Sequence, residues 1–304
     1  MNKLLILSRF EADYRRLVEA ANLPGLKIAS GPDKDCSIIL GEPKLIRDAL
    51  PNLPSVQWVQ SIFAGVEQLL DPSLQRDYVL TNARGVFGAL MSEYVFGYLL
   101  AHERHIFERS KAQQENRWET KVTGQLRGKT IGLLGVGSIG AHLAGTAKHF
   151  QMNTRGYTRD SKSCPDVDQY FHNDQLLEFA KGLDYLVSVL PNTKETNHIV
   201  DMALLNALPP HAVFINVGRG SAVDEAALAE ALNAGKIALA ILDVFEQEPL
   251  PKDHFFWHTK NLWMTFHTSA PSIPEDIMRL FAENYDLFLR GKPLKCQVDF
   301  RRGY

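Results

Sequence analysis

The chain contains 304 residues, of which 45% are apolar and 22% are charged. At roughly 150 residues per domain, this length predicts about two domains. The 33 basic and 35 acidic residues give a net charge of −2, which excludes a strongly basic protein that binds nucleic acid or an anionic membrane. Three scattered cysteines and the lack of a long apolar run predict a soluble cytoplasmic protein without disulfides.

The first part of the chain, to about residue 95, alternates short apolar runs with helical patterns. Ser8 and Glu11 have the spacing of a capping box, which predicts a helix after the first strand. Alternating strands and helices imply a parallel sheet with right-handed crossovers. Strands are predicted at residues 4–7, 26–29, 36–40, 56–60 and 78–82.

A long helical pattern covers residues 92–113, with Ser92 as its predicted N-cap. The polar stretch after it is suited to connect two domains. Asp224 and Gly235 predict the start and the end of a later helix. The sequence therefore predicts an α/β protein with two doubly wound parallel-sheet domains. The second part has strands predicted at 130–134, 153–158, 184–189, 212–217, 237–242 and 262–266, and a last helix at 274–290.

A glycine-rich turn follows the strand predicted at 130–134 and precedes a helical pattern. Gly135, Gly137 and Gly140 fit G-x-G-x-x-G in the strand–turn–helix context that dinucleotide binding requires. Gly135 is expected to make the tight turn, Gly137 to let the backbone approach a pyrophosphate, and Gly140 to let the helix pack on the strand. The pyrophosphate is expected to bind the free amides at the helix N-terminus.

Thr158 stands where NAD-binding proteins carry the carboxylate that binds the adenosine ribose. Arg159, Ser161 and Lys162 follow it, so the site lacks that repulsive charge and offers donors for the 2′-phosphate of NADP. The sequence therefore favours NADP. Asp160 leaves NAD binding open, because its carboxylate could turn back towards the ribose.

Three later strand ends carry polar residues suited to catalysis. Arg219 follows one strand and can grip a carboxylate or polarise a carbonyl. Asp243 and Glu248 follow the next strand, and His267 follows the last one. His267 can give and take a proton near neutral pH, while Glu248 can orient it and favour its protonated form. The carboxyl edge of an open α/β sheet is also where ligands bind.

With these residues in place, the chain resembles the D-isomer-specific 2-hydroxyacid dehydrogenase family over nearly its whole length. Within the family, YTRDSKSCPDV together with LPNTKET looks most like the bacterial NADPH-dependent glyoxylate/hydroxypyruvate reductases. Phe266, Glu67 and Ser138 depart from the usual Pro, Asp and Arg of the family pattern. The stretches that carry the resemblance, in family order and spacing, are LRGKTIGLLGVGSIG, VLPNTKETNHIV, FINVGRGSAVDEAAL, ILDVFEQEPLP and TFHTSA.

The resemblance implies roles for individual residues in catalysis. Arg219, Glu248 and His267 match the catalytic Arg, Glu and His of the family. The backbone amides of Ala64 and Gly65, together with Arg219, are implied to hold the substrate carboxylate. No metal is expected: the H-x-x-x-H spacing within DHFFWHTK has no evident third ligand.

A cofactor site is implied as well, in which Asp243 holds the nicotinamide carboxamide. The residues expected to contact NADP, or NAD as the alternative, are Gly135, Gly137, Ser138, Ile139, Gly140, Thr158, Arg159, Ser161, Lys162, Leu190, Pro191, Thr196, Val217, Gly218, Asp243, His267, Ser269 and Ala270.

The family's architecture implies a Rossmann cofactor domain, residues 98–270, inserted in a flavodoxin-like substrate-binding domain of residues 1–97 and 271–304. A homodimer formed through the long helix from Ser92 is also implied. The activity implied is NADPH-dependent reduction of a small 2-oxo acid, such as glyoxylate or hydroxypyruvate, to the D-2-hydroxy acid. Two alternatives stay open: an NAD-dependent D-2-hydroxyacid dehydrogenase of another substrate, and a non-enzymatic NAD(H)-sensing protein like the family's corepressors.

Overall fold

The computed structural model describes residues 1–303, which form two compact units. The first unit contains Met1–Phe87 and the chain from Pro271 onward, and the second contains Gly88–Ala270. The chain therefore leaves the first unit once and returns to it near its end. The first crossing falls at Gly88 rather than at the predicted residue 98, because the helix that begins at Gly88 packs within the second unit.

The first unit is built on a five-stranded sheet in which all strands run parallel. Its strands are β1 (Asn2–Leu7), β2 (Leu26–Ile28), β3 (Ile38–Gly41), β4 (Trp58–Ser61) and β5 (Val79–Thr81). They lie in the order β2-β1-β3-β4-β5, which is the flavodoxin-like order. The helices of this unit are α1 (Glu11–Ala21), α2 (Pro43–Ala49) and α9 (Pro274–Leu289), with 3-10 turns at Leu50–Asn52 and Glu67–Leu69.

Trp58 anchors the last helix to this sheet. Its side chain is fully buried, and its ring stacks on Phe281 of α9 with 4.9 Å between the ring centroids. The indole N–H donates to Thr81 Oγ1 at 2.8 Å, so the one polar atom of the ring is satisfied inside the core. This contact explains why the C-terminal helix folds with the N-terminal strands.

The second unit is built on a seven-stranded parallel sheet. Its strands are β6 (Thr130–Leu134), β7 (Asn153–Tyr157), β8 (Gln169–Phe171), β9 (Tyr185–Ser188), β10 (Val213–Asn216), β11 (Leu239–Leu242) and β12 (Leu262–Met264). The helices are α3 (Gly88–Glu103), α4 (Ile106–Gln114), α5 (Ser138–His149), α6 (Leu176–Ala180), α7 (Met202–Ala207) and α8 (Glu225–Asn233), with 3-10 turns at Asn173–Gln175, Gly220–Ala222 and Phe255–His258.

The strand order of the second sheet, β12-β11-β10-β9-β6-β7-β8, reverses at β6. This is the Rossmann order with a seventh strand added, and ligands bind such sheets beyond the carboxyl ends of the strands near the reversal. Every residue of β9, β10 and β11 is buried, as expected for strands covered by helices on both faces. The predicted fold class, two doubly wound parallel-sheet α/β domains, is confirmed.

Helix boundaries differ from the predictions in three places. Ser8 does not cap α1; its hydroxyl donates to Glu42 Oε1 at 3.2 Å. Ser92 is not an N-cap either, because it lies buried inside α3 with its hydroxyl 2.7 Å from His142 Nδ1. The single helix predicted at 92–113 is two helices, broken where His105 takes a left-handed φ of 52°.

The helix α8 begins and ends where the sequence predicts. The carboxylate of Asp224 accepts a hydrogen bond from Ala227 N at 3.0 Å, which makes it the N-cap. Gly235 follows the helix with a φ of 66°, a conformation that favours glycine. Within residues 1–303, no helix is long and apolar enough to cross a membrane. Tyr304, which ends the predicted substrate-binding segment, lies outside the described residues.

Candidate active site

The glycine turn between β6 and α5 adopts a conformation that depends on its glycines. Gly135 has a φ of 96°, which side chains rarely tolerate, and Gly137 is the N-cap residue just before α5. A Cβ on Gly140 would lie 2.2 Å from the carbonyl oxygen of Gly135, so only glycine allows this close approach. Among residues 1–303, no side chain caps α5. The first N–H groups of the helix, at Ser138 and Ile139, therefore remain available for an anion.

The loop after β7 presents the residues predicted to favour NADP. Arg159, Ser161 and Lys162 are all exposed, as is Asp160. Thr158 is half-buried, and its hydroxyl donates to the carbonyl of Ser161 at 2.7 Å, which folds the loop back on itself. This loop places cationic and hydroxyl groups together at the carboxyl end of the strand beside β6.

A residue that the sequence reasoning missed supports this loop. His172, just after β8, has its Nδ1 3.0 Å from the carbonyl of Thr158. Because a carbonyl only accepts, His172 must carry its proton on Nδ1. The two residues are 14 positions apart, with the short edge strand β8 between them. No local sequence pattern predicts this contact.

Loops after β9 and β10 approach each other closely beside the glycine turn. A Cβ on Gly218 would lie 2.7 Å from the backbone nitrogen of Leu190, so glycine is required at this position as well. Thr196 donates its hydroxyl proton to the carbonyl of Pro191 at 2.6 Å and so closes the loop after β9. Val217 is buried at the end of β10, where its N–H donates to Ser188 O. These predicted cofactor contacts do cluster at one sheet edge.

Arg219 extends from a turn whose backbone is fixed on both sides. The side chain of Asn216 accepts from Gly218 N at 3.2 Å and donates to the carbonyl of Arg219 at 2.9 Å. A Cβ on Gly220 would meet Phe245 C at 1.9 Å, so the turn packs directly against the loop that follows β11. That loop carries Glu248. The half-buried guanidinium of Arg219 donates from Nη1 to Gly218 O at 2.8 Å.

Glu248 and His267 form a hydrogen-bonded pair. His267 Nδ1 lies 2.7 Å from Glu248 Oε2, and the second carboxylate oxygen accepts from Phe245 N at 3.0 Å. The imidazole is 57% exposed, so its other nitrogen is accessible to a ligand. Since a carboxylate only accepts, Nδ1 donates and Nε2 is the nitrogen left for chemistry.

Electrostatics favour the charged forms of both His267 and Glu248. The hydrogen bond with Glu248 raises the pKa of His267 above its usual value, against the opposing effects of partial burial and of Arg219. Partial burial of Glu248 works against its ionisation, but hydrogen bonds from His267 and Phe245 N outweigh it, and the pKa of Glu248 is lowered. The imidazolium form of His267 is therefore favoured next to the cationic Arg219.

Asp243 lies at the end of β11, and its side chain is fully buried. Its carboxylate accepts hydrogen bonds from Thr268 N at 2.9 Å and from Ser269 N at 3.0 Å. The predicted contact residues Ser269 and Ala270 thus belong to a loop held by Asp243. Within residues 1–303, no group of three or more His, Cys, Asp or Glu side chains is placed to hold a metal ion.

In the first unit, Ala64 and Gly65 follow β4. The side-chain amide of Asn82 donates to the carbonyl of Ala64 at 2.8 Å and fixes this turn. Among the described residues, the N–H groups of Ala64 and Gly65 have no protein acceptor. Two adjacent free amides of this kind suit an anionic ligand.

The second unit thus combines a Rossmann sheet, an uncapped helix at the strand reversal, and an Arg–Glu–His set on three neighbouring strand ends. This combination defines a nicotinamide-dependent dehydrogenase.

Comparison with known proteins gives the family. Residues 96–269 match the NAD binding domain of D-isomer specific 2-hydroxyacid dehydrogenases. Glyoxylate/hydroxypyruvate reductase A of Klebsiella pneumoniae subsp. pneumoniae is 34% identical over 253 residues, 81% of each chain. The chain therefore belongs to the D-isomer specific 2-hydroxyacid dehydrogenase family, oxidoreductases that act on the CH–OH group, and the resemblance seen in the sequence is confirmed.

Solved structures of related proteins match nearly the whole chain. A D-isomer specific 2-hydroxyacid dehydrogenase family protein from Aeromonas salmonicida subsp. salmonicida is 41% identical and superposes with a TM-score of 0.93, covering 98% of this chain and 99% of that one. A D-isomer specific 2-hydroxyacid dehydrogenase from Xanthobacter autotrophicus Py2, in complex with NADPH and MES, is 32% identical with a TM-score of 0.90, covering 100% of this chain and 99% of that one.

Proposed function

We propose that the protein reduces a small 2-oxo acid, such as glyoxylate or hydroxypyruvate, to the D-2-hydroxy acid with NADPH as reductant. The observation that carries the proposal is the 2.7 Å contact of His267 with Glu248 on the sheet edge that also carries Arg219. The Klebsiella relative named above supports the substrate class.

The residues present fit the cofactor proposed. Close approach of Gly135 and Gly140 leaves the α5 amides open, and these amides would hold the pyrophosphate. Arg159 and Lys162 would hold the 2′-phosphate, in agreement with the NADPH bound by the Xanthobacter protein. Asp243 Oδ2 accepts one protein hydrogen bond and can accept a second from the nicotinamide carboxamide.

When bound, NADPH supplies the hydride for C2 of the substrate. As the C–H bond forms, the carbonyl electron pair moves to the oxygen, which takes the proton from Nε2 of His267. Glu248 holds His267 through Nδ1 and stabilises the imidazolium before the transfer. Arg219 stabilises the charge that develops on the carbonyl oxygen.

We also propose how the substrate is held. Its carboxylate would bind the free amides of Ala64 and Gly65, so the first unit would be the substrate-binding domain. The amides carry this part of the proposal, because they have no acceptor among the described residues.

The test is NADPH oxidation by the purified protein with glyoxylate, hydroxypyruvate, pyruvate, phenylpyruvate and 2-oxoisocaproate, followed by chiral analysis of the product. We expect turnover with glyoxylate or hydroxypyruvate, and D-glycerate from hydroxypyruvate. Oxidation with none of the five acids, or formation of L-glycerate, would overturn the proposal.

The surface of α3 and α4 supports a further proposal, that the enzyme is a homodimer. Ile106 and Phe107 are half exposed at the start of α4. Phe107 lines an apolar groove of about 290 Å³ together with Tyr98 and Ala101 of α3. Trp118, in the segment after α4, is 91% exposed. Neighbouring exposed apolar side chains, such as Ile106 and Phe107 on α4, are typical of protein–protein contacts.

A further inference from the structure

The loop that carries His267 is held by Asp243 on both sides of that residue. The carbonyl of Asp243 accepts from His267 N at 2.7 Å. Its carboxylate accepts from Thr268 N and Ser269 N, and in addition from the hydroxyl of Thr265 at 2.6 Å. Asp243 therefore holds the Thr265 side chain, two residues before His267, and the backbone at and immediately after His267.

A second hydroxyl extends this network to helix α3. The Tyr94 hydroxyl lies 2.6 Å from Thr265 Oγ1. Because the carboxylate of Asp243 only accepts, the single hydroxyl proton of Thr265 points to Asp243, and Thr265 must accept the proton of Tyr94. Burial raises the pKa of Tyr94 well above its usual range, so this donor keeps its proton. Tyr94 therefore donates to Thr265, and Thr265 donates to Asp243.

The backbone of His267 needs such support. Its φ is 57°, a left-handed conformation that costs free energy in a residue with a side chain. Its imidazole is 57% exposed, so packing does little to hold the ring in place. The hydrogen bond of His267 Nδ1 with Glu248 therefore depends on how firmly the loop is anchored.

We propose that Tyr94 and Thr265 are positioning residues for His267, and that they act through Asp243. This inference rests on the proposed function, because it takes His267 as the proton donor. Neither residue touches the reacting atoms; both hold the loop in which the donor sits.

The position of the loop should affect the pH at which His267 loses its proton. The charged groups that act on His267 are Glu248, Arg219 and Asp243. The hydrogen bond that His267 donates to Glu248 favours the imidazolium, while Arg219 opposes it. If the loop loosens, the contact with Glu248 is lost for part of the time, and His267 then loses its proton at lower pH.

The experiment compares Tyr94→Phe, Thr265→Val and Thr265→Ser in the full-length enzyme. We expect Tyr94→Phe and Thr265→Val to lower kcat for glyoxylate reduction roughly tenfold to hundredfold, the size of effect that slight misplacement of a catalytic group produces. In both variants the fall of activity with rising pH should begin at lower pH than in the wild type. Thr265→Ser keeps the hydroxyl and should behave like the wild type.

Tyr185→Phe is the matched control. Tyr185 is buried in the same unit and donates to Glu103 at 2.6 Å. Its loss should lower the melting temperature without moving the pH profile. The inference is wrong if Tyr94→Phe and Thr265→Val only lower the melting temperature and leave the pH profile unchanged.

NMR titration of the His267 ring, assigned with His267→Gln, separates this inference from the proposed function. The titration needs no substrate, so it applies even to a protein that reduces none of the acids tested. A downward shift of the His267 titration in Tyr94→Phe supports the positioning role, and an unchanged titration overturns it.

Discussion

The hydrogen bond between Glu248 and His267 sets the pH range in which the proposed proton donor is charged. It raises the pKa of His267, so the imidazolium persists to higher pH than in a free histidine. Reduction requires that form, so activity is present at lower pH and is lost as the pH rises through the raised pKa. In Glu248→Gln the loss should begin at lower pH. The measurement is kcat/KM against pH, and a profile whose basic limb does not move would contradict this role.

Arg159 and Asp160 give opposite predictions for the cofactor. Arg159→Gln removes a donor for a 2′-phosphate, so we expect KM for NADPH to rise about tenfold while KM for NADH changes little. Asp160→Asn is the control, because it matters only if this carboxylate binds the ribose of NAD. Steady-state kinetics with both cofactors measure KM for NADPH and KM for NADH in each variant. A large effect of Asp160→Asn on NADH, with none of Arg159→Gln on NADPH, would favour the NAD-dependent alternative.

Much of the site follows from the residue types at strand ends. Arg219, Glu248 and His267 can be located because each follows an apolar run, and the carboxyl ends of parallel strands share one edge. Tyr94 and His172 could not be found in this way. Tyr94 reaches Thr265 across 171 positions, and such contacts are set by packing rather than by local pattern.

At the scale of elements, two glycines of the turn between β6 and α5 are expected to serve different purposes: Gly140 the stability of the fold and Gly137 the binding of the cofactor. In Gly140→Ala the new Cβ would lie 2.2 Å from Gly135 O, so α5 must shift away from β6. We expect a loss of stability of about 1–3 kcal/mol, as for other overpacked sites. A Cβ on Gly137 would meet no atom within 4 Å. Gly137→Ala should therefore melt like the wild type but bind NADPH more weakly, because the side chain would face the pyrophosphate.

Thermal unfolding and NADPH titration of the two variants measure this difference. Equal melting temperatures for Gly140→Ala and the wild type would contradict the packing argument. Unchanged NADPH affinity in Gly137→Ala would contradict the placement of the pyrophosphate.

The elements themselves were predictable to different degrees. Strands such as β6 are continuous apolar runs, and their predicted bounds agree with the structure. The strand β8 was missed because it has only three residues at the sheet edge and little apolar pattern. The break between α3 and α4 was also missed, since His105 carries neither of the usual helix-ending signals, glycine or proline.

At the scale of the whole molecule, the exposed surface of α3 and α4 leads to a prediction about assembly. Phe107→Glu places a charge in the middle of the proposed dimer contact and should yield a monomer. Leu177→Glu is the control, because Leu177 is 46% exposed on α6 and lies outside that surface. Sedimentation equilibrium distinguishes the monomer from the dimer. A monomeric wild type, or a dimeric Phe107→Glu, would contradict the proposal.

The residues proposed for catalysis and those proposed for substrate binding lie in different units of the molecule. The dinucleotide turn and the Arg–Glu–His set all lie in the unit Gly88–Ala270, although the family resemblance extends over both units. The first unit contributes the free amides of Ala64 and Gly65 to the proposal. In the proposed function, chemistry and cofactor binding therefore belong to one unit, and part of the substrate binding belongs to the other.

The most direct test of the central claim is the rate of NADPH oxidation by glyoxylate and hydroxypyruvate in the wild type and in His267→Gln. The side chain of His267 is largely exposed, so the variant should fold and melt like the wild type. We predict turnover in the wild type and a fall in kcat of about 10²- to 10⁴-fold in the variant, as for removal of a general acid. A folded His267→Gln enzyme that keeps the wild-type rate would contradict the account.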